Sequence, residues 1–350
     1  MTRSYIQQTF SNTTNSYKFY WFLSILDFMK MNDREVVTYT DICIDMLSRL
    51  WYPVIYFKIN FGKQDQFARL ILGIKEHYQL NDNIYPSDLI EFLREHHDDR
   101  IIQDAVKVIF RFVPYRFLRP WFPELSGVKD GLINGMISIN QHTKAVPYII
   151  DQAQQQIILR KDPWIMENMA YVEAFTLNKL YQYLSKRNPN VPGVINKLIK
   201  PEHRRLGTQT KYWKGFIDAH PHTKSVFEQT DLQALPDLSI DHFVPWSFTT
   251  HDQLWNLHPV SRRVNSSKGN RLPTNDYLMP FIDLQYDFMQ HLLEQSSAKK
   301  MLEDYYHAFD VSREELMMME HDGFQRMLKK QINPMLEVAS NMGFGSGWEI

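Results

Sequence analysis

A single cysteine, Cys43, is all the thiol this chain of 350 residues carries. No disulfide can form within it and no CxxC zinc site can be built from it. Neither sign of charge is in excess: 39 lysines and arginines stand against 40 aspartates and glutamates. A protein coated in basic residues is thereby excluded, while a local basic face is not. Long apolar runs are missing too. Met1 to Thr14 is polar and has no signal core, and the stretch Tyr17 to Met29 is interrupted by Lys18, Ser24 and Asp27 and is too short to span a bilayer. These absences predict a cytoplasmic protein with no membrane partner. Internal repeats and low-complexity tracts are also lacking. What is present is an ordinary globular composition, 44% apolar and 23% charged, long enough for two or three domains or one catalytic unit with large flanks.

Residues 1 to about 200 read as helical. Asn15 or Ser16 is placed to cap a helix running to about Met31. Thr40 precedes a periodic segment through Ile42, Met46, Leu47 and Trp51 that Pro53 should end. Gln64 to Tyr78, Ser87 to Arg94 with Ser87 as cap, and a segment from Asp98 or Asp99 to about Phe112 continue the pattern. Val113 to Phe122, with two prolines among aromatic and basic residues, predicts an irregular connector; Gly127 to Pro147 has room for short strands; Asp162 to Ser185 is again helical. The turn-rich Lys186 to Gly193 marks a domain boundary. After Pro201 a helix is expected to about Ala219. Thr223 to Phe227 and Leu238 to Phe243 then predict two strands, followed by a short helix over Pro259 to Lys268 with Gly269 past its end. From Asn275 helices return, with Phe281, Leu284, Phe288 and Leu292 as a stripe and a long last helix through Met335.

The chemistry is concentrated between Ser239 and Pro273. Hydrolysis of a phosphodiester needs a base to activate water, a cation on the departing oxygen and a grip on the phosphate. Asp241 and His242 are adjacent, and neighbours at a strand end point to opposite faces, so one can bind metal while the other acts as base. Mg²⁺ keeps several waters, so a carboxylate and one amide oxygen suffice, and Asn265 can supply the amide. Lys268 lies three residues on, on the same helical face, placed for a phosphate.

Asp241-His242, an apolar pair, Pro245, Ser247, Asn256-Leu257, then Asn265 and Lys268 resemble the HNH, or ββα-metal, endonucleases. The spacing from His242 to Asn256 to Asn265 is similar to that in the HNH domain of the type II CRISPR effector nucleases. The openings Asn15 to Phe22 and Val113 to Leu118 resemble stand-alone bacterial HNH proteins of similar length, often associated with defence against phage or mobile DNA. The resemblance implies His242 as general base, Asp241 and Asn265 as Mg²⁺ ligands, Asn256 as a loop tie orienting His242, and Lys268 on phosphate. It implies a 5′-phosphate product. Asn265 stands where the family-naming histidine is usual, which favours Mg²⁺, with Mn²⁺ as a substitute, over a softer metal. The cysteines that hold zinc in many members are absent, so no structural zinc is expected.

Between Lys186 and Lys214 basic residues outnumber the single acid Glu202. Lys197, Lys200, Arg204 and Arg205, with Arg262 and Arg263 in the motif, are the candidate contacts to nucleic acid, DNA before RNA. The expected architecture is mainly α-helical with a small ββα-metal module inserted between helical flanks. Residues 1–193 form a helical regulatory or binding domain, 194–275 the nuclease module with its basic helix, and 276–350 a helical region packing on the rest. The function expected is a Mg²⁺-dependent HNH endonuclease of the defence-effector type, with a regulatory protein partner or a second copy of itself. The alternative is a nucleic-acid-binding or complex-forming subunit whose HNH fold is catalytically silent.

Overall fold

The computed structural model describes residues 2–11, 13–31, 35–200 and 206–350. The chain divides into two units, Met1–Pro189 with Lys197–Lys200, and Asn190–Asn196 with Pro201–Ile350. Both are mainly helical, and among the described residues no helix is long and apolar enough to cross a membrane.

The first unit is organised on the helix Tyr17–Lys30, whose aromatic and aliphatic residues are buried on nearly every side, as befits a helix enclosed by others. Ser16 sits at its N-cap position without capping it through its side chain. Both its backbone N–H and its hydroxyl instead donate to Asp65 Oδ2, each at 2.7 Å. Burial raises the Asp65 carboxyl above its ordinary range, against the hydrogen bonds it receives. Helix Tyr39–Trp51 is capped by Thr38, which accepts from the Asp41 N–H, and not by Thr40. The α-helix ends at Trp51, where Pro53 was expected to stop it, and the chain runs on as a π-helical turn, Tyr52–Tyr56, with Pro53 in its first turn. Ser87 lies inside the helix Pro86–Glu95, whose N-cap is Tyr85, because Pro86 already takes the first turn.

Two further expectations are corrected here. Pro114 opens a helix, Val113–Leu118, where an irregular connector was expected, since a proline near a helix start costs no hydrogen bond. Gly127 to Pro147 holds the helix Asp130–Asn140 instead of strands; Ile133 and Ile137, four apart, bury one face despite Gly131 and Gly135. The strands come later, Tyr148–Asp151 and Gln156–Leu159, and with Val36–Thr38 they make an antiparallel sheet having Gln156–Leu159 in the centre.

In the second unit the expected strand at Thr223 to Phe227 is absent. That stretch contributes one isolated bridge, Lys224 to Asp231. Leu238–His242 pairs instead with Leu257–Ser261, Ile240 opposite Pro259 and Asp241 opposite His258. Pro259 therefore lies in a strand and not at a helix start. A two-stranded sheet is all edge, which is where proline is tolerated. The following helix, Arg262–Lys268, begins with Ser261 accepting from the Val264 N–H and ends at Gly269, whose φ of 52° suits a residue without a Cβ. Strand, loop, strand and helix make the ββα unit.

Helices Gly207–Ala219, Leu278–Leu293, Lys299–Phe309 and His321–Asn341 share one core with that unit. Trp213 stacks on Phe288 with ring centres 3.6 Å apart, and Phe243, next to His242, stacks on Phe281 at 4.2 Å. The last residues close on it as well: Leu272 N–H donates to Gly345 O, and Trp348 N–H to Leu272 O. Residues 276–350 thus fold within the same unit as the ββα segment.

Candidate active site

Asp241 and His242 end the strand Leu238–His242, and both are buried. Alternation along the strand sends their side chains to opposite faces. Asp241 turns toward the helix Arg262–Lys268, where the Lys268 ammonium lies 3.0 Å from Oδ2. Lys268 directs its hydrogen bond elsewhere, to the His242 carbonyl at 2.7 Å, so Asp241 Oδ2 is buried without a hydrogen bond. The ion pair is therefore close but not well aligned, and the carbonyl is the better-made partner.

Lys268 itself is 1% exposed. The expectation that it would touch a phosphate is corrected: its charge neutralises Asp241 inside the fold, and its stem packs in the core as amphipathic side chains do.

Asn265 faces the same pocket of residues. Its Nδ2 donates to Ser239 Oγ at 2.8 Å and to Ile240 O at 3.4 Å. Oδ1 takes no hydrogen bond among the described residues, which aims an amide oxygen away from the strand. Asp241 Oδ2, which takes no hydrogen bond among the described residues although Lys268 Nζ lies 3.0 Å away, and Asn265 Oδ1 are the hard oxygens that would suit a divalent cation completing its shell with water and substrate oxygen. No group of three His, Cys, Asp or Glu that could hold a metal occurs among the described residues.

His242 Nε2 is 2.9 Å from Asp252 Oδ1 and 3.2 Å from His251 O. Asn256 bridges the loop that separates these residues from the second strand. Its Oδ1 accepts from the Val244 N–H at 2.8 Å and its Nδ2 donates to the Val244 carbonyl at 2.9 Å, both buried. Phe243 N–H donates to Asn256 O, extending the ladder beyond His242. Truncating Asn256 to alanine should destabilise the second unit by about 3 kcal/mol, because two buried backbone groups of Val244 lose their partners at once. Urea unfolding followed by tryptophan fluorescence checks this. A loss under about 1 kcal/mol would mean that Val244 finds other partners or water.

The helices behind the site hold the same loop. Gln285 Nε2 donates to the Leu257 carbonyl, and Tyr305 OH donates to Gln285 Oε1 at 2.7 Å. Leu254 N–H donates to Asp304 Oδ2 at 2.9 Å. Ser261 N–H donates to Glu228 Oε1, at 2.9 Å.

Of the basic candidates, Arg262 and Arg263 are exposed on the first turn of the site helix. Lys197 is not: it is buried in the first unit, and burial pushes its ammonium down to about 7. It cannot present a phosphate-neutralising charge from there, which corrects that assignment. Lys200 lies over two tyrosine rings, 4.9 Å from Tyr52 and 4.1 Å from Tyr85, a cation–π position that already occupies its charge. Arg204 and Arg205 lie outside the described residues.

A strand ending in a carboxylate and an imidazole, packed on a short helix that offers an amide oxygen, defines a ββα nuclease module. Residues 220–274 match the family model described as HNH endonuclease, so the chain carries a domain of that family. HNH nucleases act on nucleic acid and generally use divalent metal ions. No curated protein and no solved structure matches the chain.

Proposed function

We propose that this protein is a Mg²⁺-dependent endonuclease that cuts phosphodiester bonds in DNA. The observation that carries the reading is the meeting of Asp241, His242 and Asn265 on one strand end and its facing helix, within the segment matched to HNH endonucleases. His242 takes a proton from water; the oxygen so freed attacks phosphorus, the P–O3′ bond breaks, the departing 3′ oxygen takes a proton from solvent water, and a 5′-phosphate and a 3′-hydroxyl result. Asp241 and Asn265 would hold the ion, whose chemistry is to stabilise charge on the phosphate and the departing oxygen. Arg262 and Arg263, exposed beside the site, would bind backbone phosphates. The likeness of the flanks to stand-alone HNH proteins supports a role as a defence effector, with a protein partner or self-association controlling it.

Purified protein incubated with plasmid, single-stranded DNA and RNA, with Mg²⁺, with Mn²⁺ and without metal, tests the reading. Cleavage of DNA that needs the ion is expected. Asp241→Ala and Asn265→Ala should each move the metal requirement to at least about tenfold higher concentration, or end activity, since each removes one of only two protein ligands. Unchanged metal titrations in both variants would place the ion elsewhere.

One observation favours a second reading, a silent fold that binds nucleic acid. The Lys268 ammonium already neutralises Asp241 and would compete with a cation for it. Binding of nucleic acid without cleavage under every metal condition is the outcome that selects this reading.

A further inference from the structure

The loop after His242 supplies a carboxylate to the ring that the motif spacing does not assign. Nε2 of His242 faces two oxygens, Asp252 Oδ1 at 2.9 Å and the His251 carbonyl at 3.2 Å. Neither oxygen brings a hydrogen, so the proton must reside on Nε2, and the neutral ring carries its lone pair on Nδ1. Among the described residues no hydrogen bond reaches Nδ1.

The backbone that carries Asp252 is held by its own loop. Thr250 adopts a left-handed conformation, φ 56°, and its N–H donates to Trp246 O at 2.7 Å. The Asp252 carbonyl accepts from Gln209 Nε2 at 3.3 Å. Two residues on, Leu254 N–H is fixed by Asp304. The loop is thus held on either side of Asp252 and at its carbonyl, while its side chain remains partly open to solvent.

We propose that Asp252 is a positioning residue for His242: its carboxylate fixes the ring and the tautomer that presents Nδ1 as the base, and balances the charge the ring gains when Nδ1 takes a proton from water. A backbone carbonyl alone can orient a ring, but a carboxylate adds charge of the sign that the protonated ring requires. This rests on the nuclease reading for its catalytic consequence, though not for its structural content.

The experiment separates the two. Nitrogen-15 NMR of the imidazole reads the tautomer of His242 in the protein without substrate, using His242→Ala to assign the signal. Steady-state cleavage reads the consequence. In the wild type the signal should be that of Nε2–H. Asp252→Asn keeps size and hydrogen-bonding capacity, but its amide can donate to Nε2 and so favours Nδ1–H, the form with no lone pair where the base needs it. Asp252→Ala leaves only the weaker carbonyl contact. Both variants should shift the nitrogen signals toward a mixed or Nδ1–H state and lower kcat by about 10–100-fold, with KM within about threefold. A loop role alone predicts that Asp252→Asn, nearly the same shape, behaves as wild type. Unchanged nitrogen signals in both variants, or unchanged kcat in Asp252→Asn with the signal shifted, would overturn the proposal. A wild-type protein that cleaves nothing would refute the nuclease reading, and the nitrogen signals would still decide whether Asp252 sets the tautomer.

Discussion

His242→Ala should lower the rate of phosphodiester cleavage by roughly 10²–10⁴-fold while nucleic-acid affinity stays within a few-fold. A base acts on the barrier. It takes its proton as the attacking oxygen forms its bond, and it contributes little to ground-state binding, so the loss should appear in kcat. The geometry makes the separation clean. His242 is 4% exposed, its Nε2 is occupied by the 251–252 loop, and the arginines proposed to bind backbone phosphates, Arg262 and Arg263, lie on another element. Alanine keeps the strand, because the backbone groups of residue 242 bond to Lys268 and along the ladder independently of the ring. Single-turnover cleavage of labelled duplex, beside a filter-binding isotherm, measures both quantities. A variant that cleaves at the wild-type rate would remove His242 from the mechanism.

The second large effect lies on the other strand and concerns stability. His258 is fully buried among Phe227, Phe243 and Phe281, with ring centres 4.8, 6.1 and 5.3 Å away, and among the described residues neither of its nitrogens has a hydrogen-bond partner. Burial pushes its imidazole down to about 3, against the attraction of Asp241, its cross-strand neighbour. In the unfolded chain a histidine titrates near 6.5. Between these values the unfolded state binds a proton that the native state refuses, so stability falls as pH drops from about 6.5 toward 3, by up to about 1.4 kcal/mol per pH unit and on the order of 4 kcal/mol in all. His258→Phe removes that proton from both states. Other acid-labile groups are common to the two proteins, and any cost of the larger ring does not depend on pH. Urea unfolding at pH 7 and pH 4 should therefore show the variant gaining about 3 kcal/mol relative to wild type on acidification. A stability difference independent of pH would mean that His258 is protonated or hydrated in the native state.

The same neighbourhood shows what a sequence can and cannot reveal. The placement of Asp241, His242, Asn256 and Asn265 around one strand end is legible because it follows from spacing: strand alternation separates the first two, and fixed loop and helix lengths bring the others back to the strand. The apolar stripe Phe281, Leu284, Phe288 and Leu292 is legible for a similar reason, and all four are buried. Pro259 misleads because a proline opening a helix and a proline on a sheet edge obey the same rule, that its missing N–H must not be needed. The stretch Thr223 to Phe227 has strand-like residues but finds only one bridging partner, and pairing is what a local pattern cannot supply. Lys268 and Lys197 fail for another reason: lysine is so rarely buried that exposure is the natural expectation, and a buried ammonium is decided by what surrounds it in three dimensions. Asp252 is an acidic residue in a loop, with no spacing that distinguishes it. Only the ring that it touches does so.

The polar chain from Tyr305 through Gln285 to the Leu257 carbonyl, with Asp304 on Leu254, has a consequence for portability. The family-matched segment stops at residue 274, yet the groups that steady its loop come from beyond it, and the Phe243 ring beside His242 rests on Phe281. A graft of residues 220–274 into another scaffold would carry Asp241, His242 and Asn265 and leave behind their supports. The transferable cassette is the whole second unit, and chimeras or split-protein designs should keep their junctions out of the stretch from Gly207 to the tail that closes on Leu272.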